Sequence, residues 1–170
     1  MNAIAFDASA LGNHEFDLGT GQVASVIAPD GDYPGTSFPY LSANLDFSQD
    51  ANLSGLVVPE GQAPQPNSIT KSVVFEVDGE IVGVVGATTP LLESISSPGD
   101  VIVSPPDPDD LNALAAEIQI SVDNLIDQGV NKIILTSHLQ QIALEQELAT
   151  LLEGVDIIIA GGSDTILADE

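Results

Sequence analysis

Apolar and polar positions follow one another along the chain in patterns that predict alternating helices and strands. The clearest pattern runs from about Pro108 to Gln128, where apolar residues recur three or four positions apart and predict a helix with one apolar face. Asp107 is expected to cap the beginning of this helix, and Gly129 suits its end. The apolar face consists of Leu111, Leu114, Ala115, Ile118, Val122, Leu125 and Ile126.

Two neighbouring apolar runs predict a β-hairpin. Val73 to Val77 and Ile81 to Val85 are separated by Asp78-Gly79. That dipeptide favours a type I′ turn, whose backbone matches the twist of two antiparallel strands.

The last forty residues predict a parallel pair of strands. Lys132 to Ser137 is expected to be a buried strand, about Gln140 to Leu152 a helix, and Val155 to Ala160 a second buried strand. A strand, helix and strand joined by short turns favour a right-handed crossover between parallel strands. With the hairpin, this order predicts an α/β fold that contains a mixed sheet.

Patterns in the first seventy residues are weaker. From Asp46 to Ser68 the chain is rich in Asn, Gly, Pro and Gln and predicts a loop. The other predicted elements are the end of a helix at Met1 to Asp7, a strand at Ala8 to Leu11, a helix at Gly19 to Ala28 and a strand at Pro39 to Leu45.

Charge narrows the range of partners. The chain has 26 acidic residues and only two basic ones, Lys71 and Lys132, for a formal net charge of -24. Such a surface suits high salt and repels polyanions, so nucleic acid polymers are excluded as partners. No apolar stretch reaches the ~20 residues needed to span a membrane. A phosphate ligand would need its positive charge from metal ions or helix N-termini, and without cysteine any metal ligands must be His, Asn, Asp, Glu or backbone oxygen.

Several polar residues follow predicted strands, and ligands of open α/β sheets gather at the carboxyl ends of strands. Asn13, His14 and Asp17 follow the first strand, His138 follows the strand that begins near Lys132, and Asp164 follows the last strand. A purely structural interpretation is also open, in which Asn13 is a turn residue and His138 begins a helix.

The run Gly12 to Asp17, which reads Gly-Asn-His-Glu-Phe-Asp, resembles a signature block of the calcineurin-like metallophosphoesterases in the variant typical of 5′-nucleotidases. The resemblance spans nearly the whole chain. It implies a mixed-sheet sandwich with flanking helices, part of the four-layer fold of that family. The other stretches that resemble the family, in the same order, are Pro39 to Leu45, Val77 to Gly86, Thr88 to Pro90, Ile133 to His138 and Gly154 to Thr165.

The resemblance also implies a chemistry, the hydrolysis of phosphate monoesters, with nucleotides as the foremost substrates. Divalent metal ions would be the cofactors, and Mn, Zn, Mg and Ca all remain open. By position, Asn13 and His138 would be metal ligands. His14 would act on the phosphate as an acid or as a stabiliser of the transition state, and Asp17 would orient His14.

Two departures from the family pattern change this expectation. Gly161-Gly162-Ser163-Asp164 stands where the family has Gly-His-Ser-His. Either Asp164 ligates a metal as a carboxylate, which favours Mn, Mg or Ca over Zn, or Gly162 and Asp164 merely form a turn. The upstream Asp-x-His and Gly-Asp blocks do not occur in the chain. We therefore expect residues 1–170 to be a partial catalytic domain that is inactive alone.

Three further expectations remain. The alternative function is a non-catalytic, acidic binding module that keeps the fold without a complete metal centre. Because the family's first strands are missing, an apolar edge or face is expected to be exposed and to be covered by a second copy in a homodimer. The acidic surface and the habit of the family suggest an extracellular or periplasmic location.

Overall fold

A computed structural model describes residues 1–163 and residue 165 of the chain. Its helices, within these described residues, are α1 (Thr20–Ile27), α2 (Leu92–Ile95), α3 (Leu111–Asp127) and α4 (Ile142–Leu151). The strands are β1 (Ser9–Ala10), β2 (Tyr40–Leu41), β3 (Leu45–Asp46), β4 (Ile69–Thr70), β5 (Ser72–Val77), β6 (Glu80–Thr88), β7 (Ile102–Val103), β8 (Ile133–His138) and β9 (Ile157–Gly161). Within the described ranges, none of the helices combines the length and apolar character that crossing a membrane requires.

Strands β1 to β9, all within residues 1–163, form three sheets. The largest has the order β5-β6-β8-β9, with β5 and β6 antiparallel and with β6, β8 and β9 parallel. A second sheet, β1-β2-β4, is parallel, and β3 pairs with β7 in an antiparallel ribbon. The predicted α/β class, with parallel and antiparallel strands and flanking helices, is confirmed.

The predicted hairpin is also confirmed. β5 and β6 pair from Ser72↔Val85 to Val77↔Glu80. Asp78 and Gly79 have φ values of 52° and 84°, and both are positive as a type I′ turn requires. β6 extends past the predicted end of its strand because its other side pairs with β8, from Gly83↔Ile133 to Thr88↔His138.

Helix α3 begins later than predicted. The Asp110 carboxylate accepts a hydrogen bond from the Ala113 N–H at 2.9 Å and so caps the helix, which starts at Leu111. The prediction that Asp107 is the cap is wrong. Its carboxylate instead accepts from Asp109 N–H at 3.1 Å, within the turn that precedes the helix. The buried side of α3 consists of Leu114, Ala115, Ile118, Ser121, Val122 and Leu125.

Two predictions near the N-terminus are corrected. Met1 to Asp7 contains only a short 3-10 turn, Asn2–Ile4, after which Ala5 adopts a left-handed conformation. The predicted strand from Pro39 to Leu45 is divided into β2 and β3. The chain is diverted between them because the Asn44 amide donates to two backbone carbonyls distant in sequence, at 2.9 and 2.8 Å, on Thr88 and Ser104.

The small parallel sheet sits directly on the large sheet. A side chain at Gly86 would overlap the backbone of Leu41, so glycine allows β2 to approach β6. Ala43 N–H donates to the Gly86 carbonyl at 2.8 Å, and the Thr88 hydroxyl donates to the Leu11 carbonyl at 2.9 Å. This packing brings the carboxyl ends of β1, β6 and β8 together.

Helices cover one face of the large sheet, and the small sheet covers only the carboxyl end of the other face, near Gly86. Helices α3 and α4 pack against the covered face, where Val85, Ile133 and Leu135 are buried. The prediction that β9 is buried is wrong, because Ile157 and Ile159 remain 53% and 56% exposed. We call the opposite surface the open face; its apolar residues are Phe75, Val77, Val82, Val84, Ile134, Ile157 and Ile159.

Candidate active site

The turn after β1 holds the first group of predicted site residues. Leu11 and Phe16 are fully buried and fix the two ends of this turn. Between them, Gly12 N–H donates to the Glu15 carboxylate at 2.8 Å, and the chain forms a 3-10 turn at His14–Phe16. The Asn13 side chain is therefore held inside the molecule, and only 5% of the residue is exposed.

The structure brings Asn13 and His138 together across 125 positions of sequence. His138 is the last residue of β8 and lies beside Thr88 of β6. Its Nε2 is 3.1 Å from Asn13 Oδ1. The two predicted metal ligands therefore meet at the carboxyl end of the sheet.

The His138 ring occupies space that side chains at two neighbouring glycines would otherwise fill. A Cβ at Gly12 would come within 2.8 Å of Cε1 and Nδ1 of the ring. On another side, a Cβ at Gly162 would come within 2.7 Å of Nε2, and Gly162 also has a φ of +83°. Both positions thus require glycine as long as His138 keeps this place. Asp164, the remaining predicted metal ligand, lies outside the described residues.

His14 and Asp17 form a hydrogen-bonded pair. His14 Nδ1 is 2.7 Å from Asp17 Oδ2, and both side chains face solvent. The hydrogen bond with Asp17 and its negative charge raise the pKa of His14. The bonds from His14 and from Ser96 lower the pKa of Asp17. The carboxylate of Asp17 therefore favours the imidazolium form of His14.

Sequence reasoning missed Ser96, which supports this pair from a distant part of the chain. Its hydroxyl lies 2.8 Å from the Asn13 carbonyl oxygen and 3.0 Å from Asp17 Oδ1. It therefore links the loop after α2 to the turn after β1. No local pattern in the sequence signals this role.

Sequence reasoning also missed Glu145, a buried carboxylate behind His138. Its Oε1 accepts from Leu139 N–H at 3.1 Å and from the Ser137 hydroxyl at 3.4 Å. The residue is only 3% exposed, and Oε2 has no hydrogen-bond partner within the described part of the chain. Glu145 thus bonds to the residues on both sides of His138, to the hydroxyl of Ser137 and to the backbone of Leu139.

Asn13 and His138 fit a divalent cation as part of its ligand set. An amide oxygen and an imidazole nitrogen are common ligand atoms. With metal bonds of about 2.1 Å at right angles, neighbouring ligand atoms lie about 3 Å apart, close to the 3.1 Å observed between Oδ1 and Nε2. No group of three or more His, Cys, Asp or Glu suited to a metal occurs among residues 1–163 and 165. Two ligands alone do not complete a site.

The sequence has relatives among curated proteins, although no family model matches it. A 5′-nucleotidase from Mus musculus is 37% identical over 169 residues, which are 98% of this chain and 25% of the mouse protein. A 5′-nucleotidase from Diplobatis ommata is 34% identical over the same length, again 25% of that protein. The chain spans about a quarter of the length of the curated relatives it matches.

A solved structure shares the fold. The 5′-nucleotidase precursor from Thermus thermophilus superposes with a TM-score of 0.72 and is 35% identical in sequence. The similarity covers 92% of this chain and 26% of that protein.

Proposed function

Because this chain belongs to the 5′-nucleotidase family, we propose that it supplies part of the active site of a metal-dependent phosphate-monoester hydrolase that acts on nucleotides. The observation that carries the proposal is the approach of His138 Nε2 to Asn13 Oδ1, at 3.1 Å, beside the His14–Asp17 pair. Because the chain spans about a quarter of the length of its relatives, only part of a complete site is assigned to it. In this proposal, residues 1–170 are a partial catalytic domain.

Metal ions have a specific chemical role in the proposed site. A divalent cation, when bound, supplies the positive charge that polarises a phosphate ester and promotes ionisation of water. Asn13 and His138 would hold it through Oδ1 and Nε2, and Asp164 is a further candidate ligand. The identity of the ion remains open among Mn, Zn, Mg and Ca.

Charge supports a requirement for metal. The two lysines are the only basic residues apart from histidine. Lys132 pairs with Glu80 at 2.6 Å beside the hairpin, and Lys71 lies between β4 and β5. Among the described residues, neither lysine forms a hydrogen bond with the candidate site. In a chain with a net charge of -24, an anionic substrate therefore needs bound cations to offset repulsion.

His14 and Asp17 have complementary roles in the proposed reaction. Asp17 keeps a proton on Nδ1 of His14, which leaves Nε2 for the substrate. In its protonated form, His14 donates a proton or a hydrogen bond to an oxygen of the phosphate ester, where negative charge develops. The Ser96 hydroxyl contacts both the Asp17 carboxylate and the Asn13 carbonyl oxygen. The position of the His14–Asp17 pair is therefore coupled to that of Asn13, a proposed metal ligand.

The test measures hydrolysis and metal binding separately. Phosphate release from AMP with added Mn²⁺ is assayed for the chain and for the polypeptide of the complete reading frame that contains it. We expect the complete polypeptide to release phosphate, and His14→Ala to abolish release while Mn²⁺ still binds. His138→Ala should weaken Mn²⁺ binding. Hydrolysis that survives His14→Ala, or a wild-type protein that neither binds Mn²⁺ nor releases phosphate, would contradict the proposal.

A second candidate function is a non-catalytic, acidic binding module. It is favoured by Gly162, which offers no side-chain ligand and whose backbone lies against His138. A complete polypeptide that binds no Mn²⁺ and hydrolyses nothing, yet unfolds cooperatively, would support this function over the first.

We also propose that a second copy of the chain covers the open face. Large sheet faces are normally packed against another layer, and here Val77, Ile157 and Ile159 are about half exposed. A dimer about a two-fold axis would bury these side chains in both copies. Size-exclusion chromatography with light scattering is expected to show a dimer that Ile159→Glu dissociates. A wild-type monomer at every concentration would contradict this proposal.

We propose an extracellular or periplasmic location. The Thermus thermophilus relative is described as a precursor, and the acidic surface suits a salty exterior. Fractionation of the source cells tests the location directly, and recovery in the cytoplasmic fraction alone would contradict it.

A further inference from the structure

Gln140 has an unusual backbone conformation at the edge of the candidate site. It lies between His138, the end of β8, and Ile142, where α4 begins. Its φ of 75° is positive, a conformation found at only four non-glycine residues within residues 1–163. Residues with a Cβ adopt this conformation at a free-energy cost, which surrounding interactions must offset. Here the strained turn directs a glutamine side chain back toward the turn after β1.

The Gln140 side chain forms a hydrogen bond with Asn13, one of the proposed metal ligands. Its Nε2 donates to Asn13 Oδ1, the oxygen that His138 Nε2 also approaches at 3.1 Å. Three polar side chains from two separate turns therefore converge on one place. In this arrangement, Asn13 Oδ1 accepts from two donors, which occupies both of its lone pairs and leaves none for a cation.

A small change converts this hydrogen-bonded cluster into a set of ligands. The oxygen and nitrogen of a glutamine amide have nearly the same size, and a half turn about the last side-chain bond exchanges them. After that turn, Gln140 presents Oε1 where it now presents Nε2. In the tautomer that carries its proton on Nδ1, His138 likewise presents a lone pair on Nε2. One nitrogen and two amide oxygens would then be available as ligand atoms.

The neighbouring residues leave a place for such a ligand. Gly162 lies against Nε2 of His138 but has no side chain, and a Cβ there would lie only 2.7 Å from that nitrogen. Asn13 and His138 alone supply too few ligand atoms to hold a divalent cation firmly. Among the described residues, Gln140 is the remaining side chain that forms a hydrogen bond with the side chains of this pair.

We propose that Gln140 is a third ligand, through Oε1, of the divalent cation held by Asn13 and His138. The inference rests on the proposed metal-dependent function, and it adds a residue that sequence comparison with the family did not indicate. It also explains the strained backbone at Gln140, because the left-handed turn is what brings the amide to Asn13.

Calorimetry and electron paramagnetic resonance both measure Mn²⁺ binding to the full chain, and they test the inference without an activity assay. We expect Gln140→Gly to weaken binding about tenfold or more, the usual range for loss of a residue that supports a metal site. The same variant should keep or raise the midpoint of thermal unfolding, because glycine relieves the positive φ. Gln141→Ala is the matched control: Gln141 is adjacent and exposed, and its substitution should leave affinity unchanged.

Gln140→Glu separates a ligand from a hydrogen-bond donor. An ionised glutamate supplies an oxygen to a cation but cannot donate to Asn13 Oδ1. Equal or tighter Mn²⁺ binding by this variant supports a ligand role, and weaker binding overturns it. Unchanged or tighter binding by Gln140→Gly also overturns it. If wild type binds Mn²⁺ and His138→Ala abolishes binding, a negative result for the Gln140 variants overturns only the ligand role of Gln140. The proposed function then remains intact. If wild type binds no Mn²⁺, both proposals fail.

Discussion

Oδ2 of Asp17 lies 2.7 Å from Nδ1 of His14, and this contact couples the ionisation of the two side chains. Asp17 raises the pKa of His14 through this hydrogen bond and through its charge. We therefore expect Asp17→Asn to lower the pKa of His14 toward its ordinary value of 6.5. An NMR titration of the metal-free chain measures this pKa, and the spectrum of His138→Ala assigns the signal of His14. An unchanged pKa would show that Asp17 does not control His14.

The same pair predicts how stability depends on pH. Because folding raises the pKa of His14, its contribution is present below its ordinary value of 6.5 and is lost as pH rises through the raised value. Because folding lowers the pKa of Asp17, its contribution is present above 3.8 and is lost as pH falls through the lowered value. Asp17→Asn should therefore destabilise the chain more at a pH of about 5 than at about 9, and only slightly because the pair is exposed. Urea unfolding at both pH values provides the measurement, and an equal effect would contradict it.

Gly162→Ala is expected to disturb His138. The added Cβ would lie 2.7 Å from Nε2, and φ at this position is +83°. Gly129 is a matched control, because its φ is +87° but a Cβ there would meet nothing within 4 Å. Gly129→Ala should cost about 1 kcal/mol from backbone strain alone. Gly162→Ala should cost more and also weaken Mn²⁺ binding. Equal losses of the free energy of unfolding, with unchanged Mn²⁺ binding, would argue against a steric role.

The start of α3 can be tested by comparing two aspartates. Asp110→Ala removes the carboxylate that accepts from Ala113 N–H at 2.9 Å. Loss of such a cap should lower the free energy of unfolding by about 1 kcal/mol. Asp107→Ala removes only a hydrogen bond in an exposed turn, so its effect should be smaller. Urea denaturation of both variants measures the difference, and a larger effect at Asp107 would restore the cap predicted from sequence.

The parts of the fold that local chemistry determines were predictable from sequence. The hairpin depends on Asp78-Gly79, whose preference for positive φ acts within two residues. The division between β2 and β3 was not predictable, because it depends on Asn44 bonding to Thr88 and Ser104, which lie 44 and 60 positions away. The start of α3 was missed because the chain offers two aspartates three residues apart, and sequence alone does not choose between them.

The candidate site was likewise predictable from sequence only in part. Asn13, His14 and His138 could be proposed because each follows a predicted strand, where polar residues of α/β sheets gather. Gln140 was missed because its importance depends on a left-handed backbone that a glutamine rarely adopts. Ser96 was missed because it reaches the site only through tertiary packing. Residues that support a site from outside its motif leave little local signal.

Glu145 gives a last test of how the fold positions His138. Glu145→Ala should leave the buried Leu139 N–H without its acceptor, at a cost of about 1–3 kcal/mol. Because that N–H directly follows His138, Mn²⁺ affinity should fall as well. Glu145→Gln keeps an oxygen at the position of Oε1 and should retain most of both properties. Glu147→Ala, an exposed position on the same helix, is the control and should change neither. Urea unfolding and Mn²⁺ calorimetry of the three variants decide the matter: if Glu145→Ala loses stability but binds Mn²⁺ normally, Glu145 stabilises the fold without positioning His138.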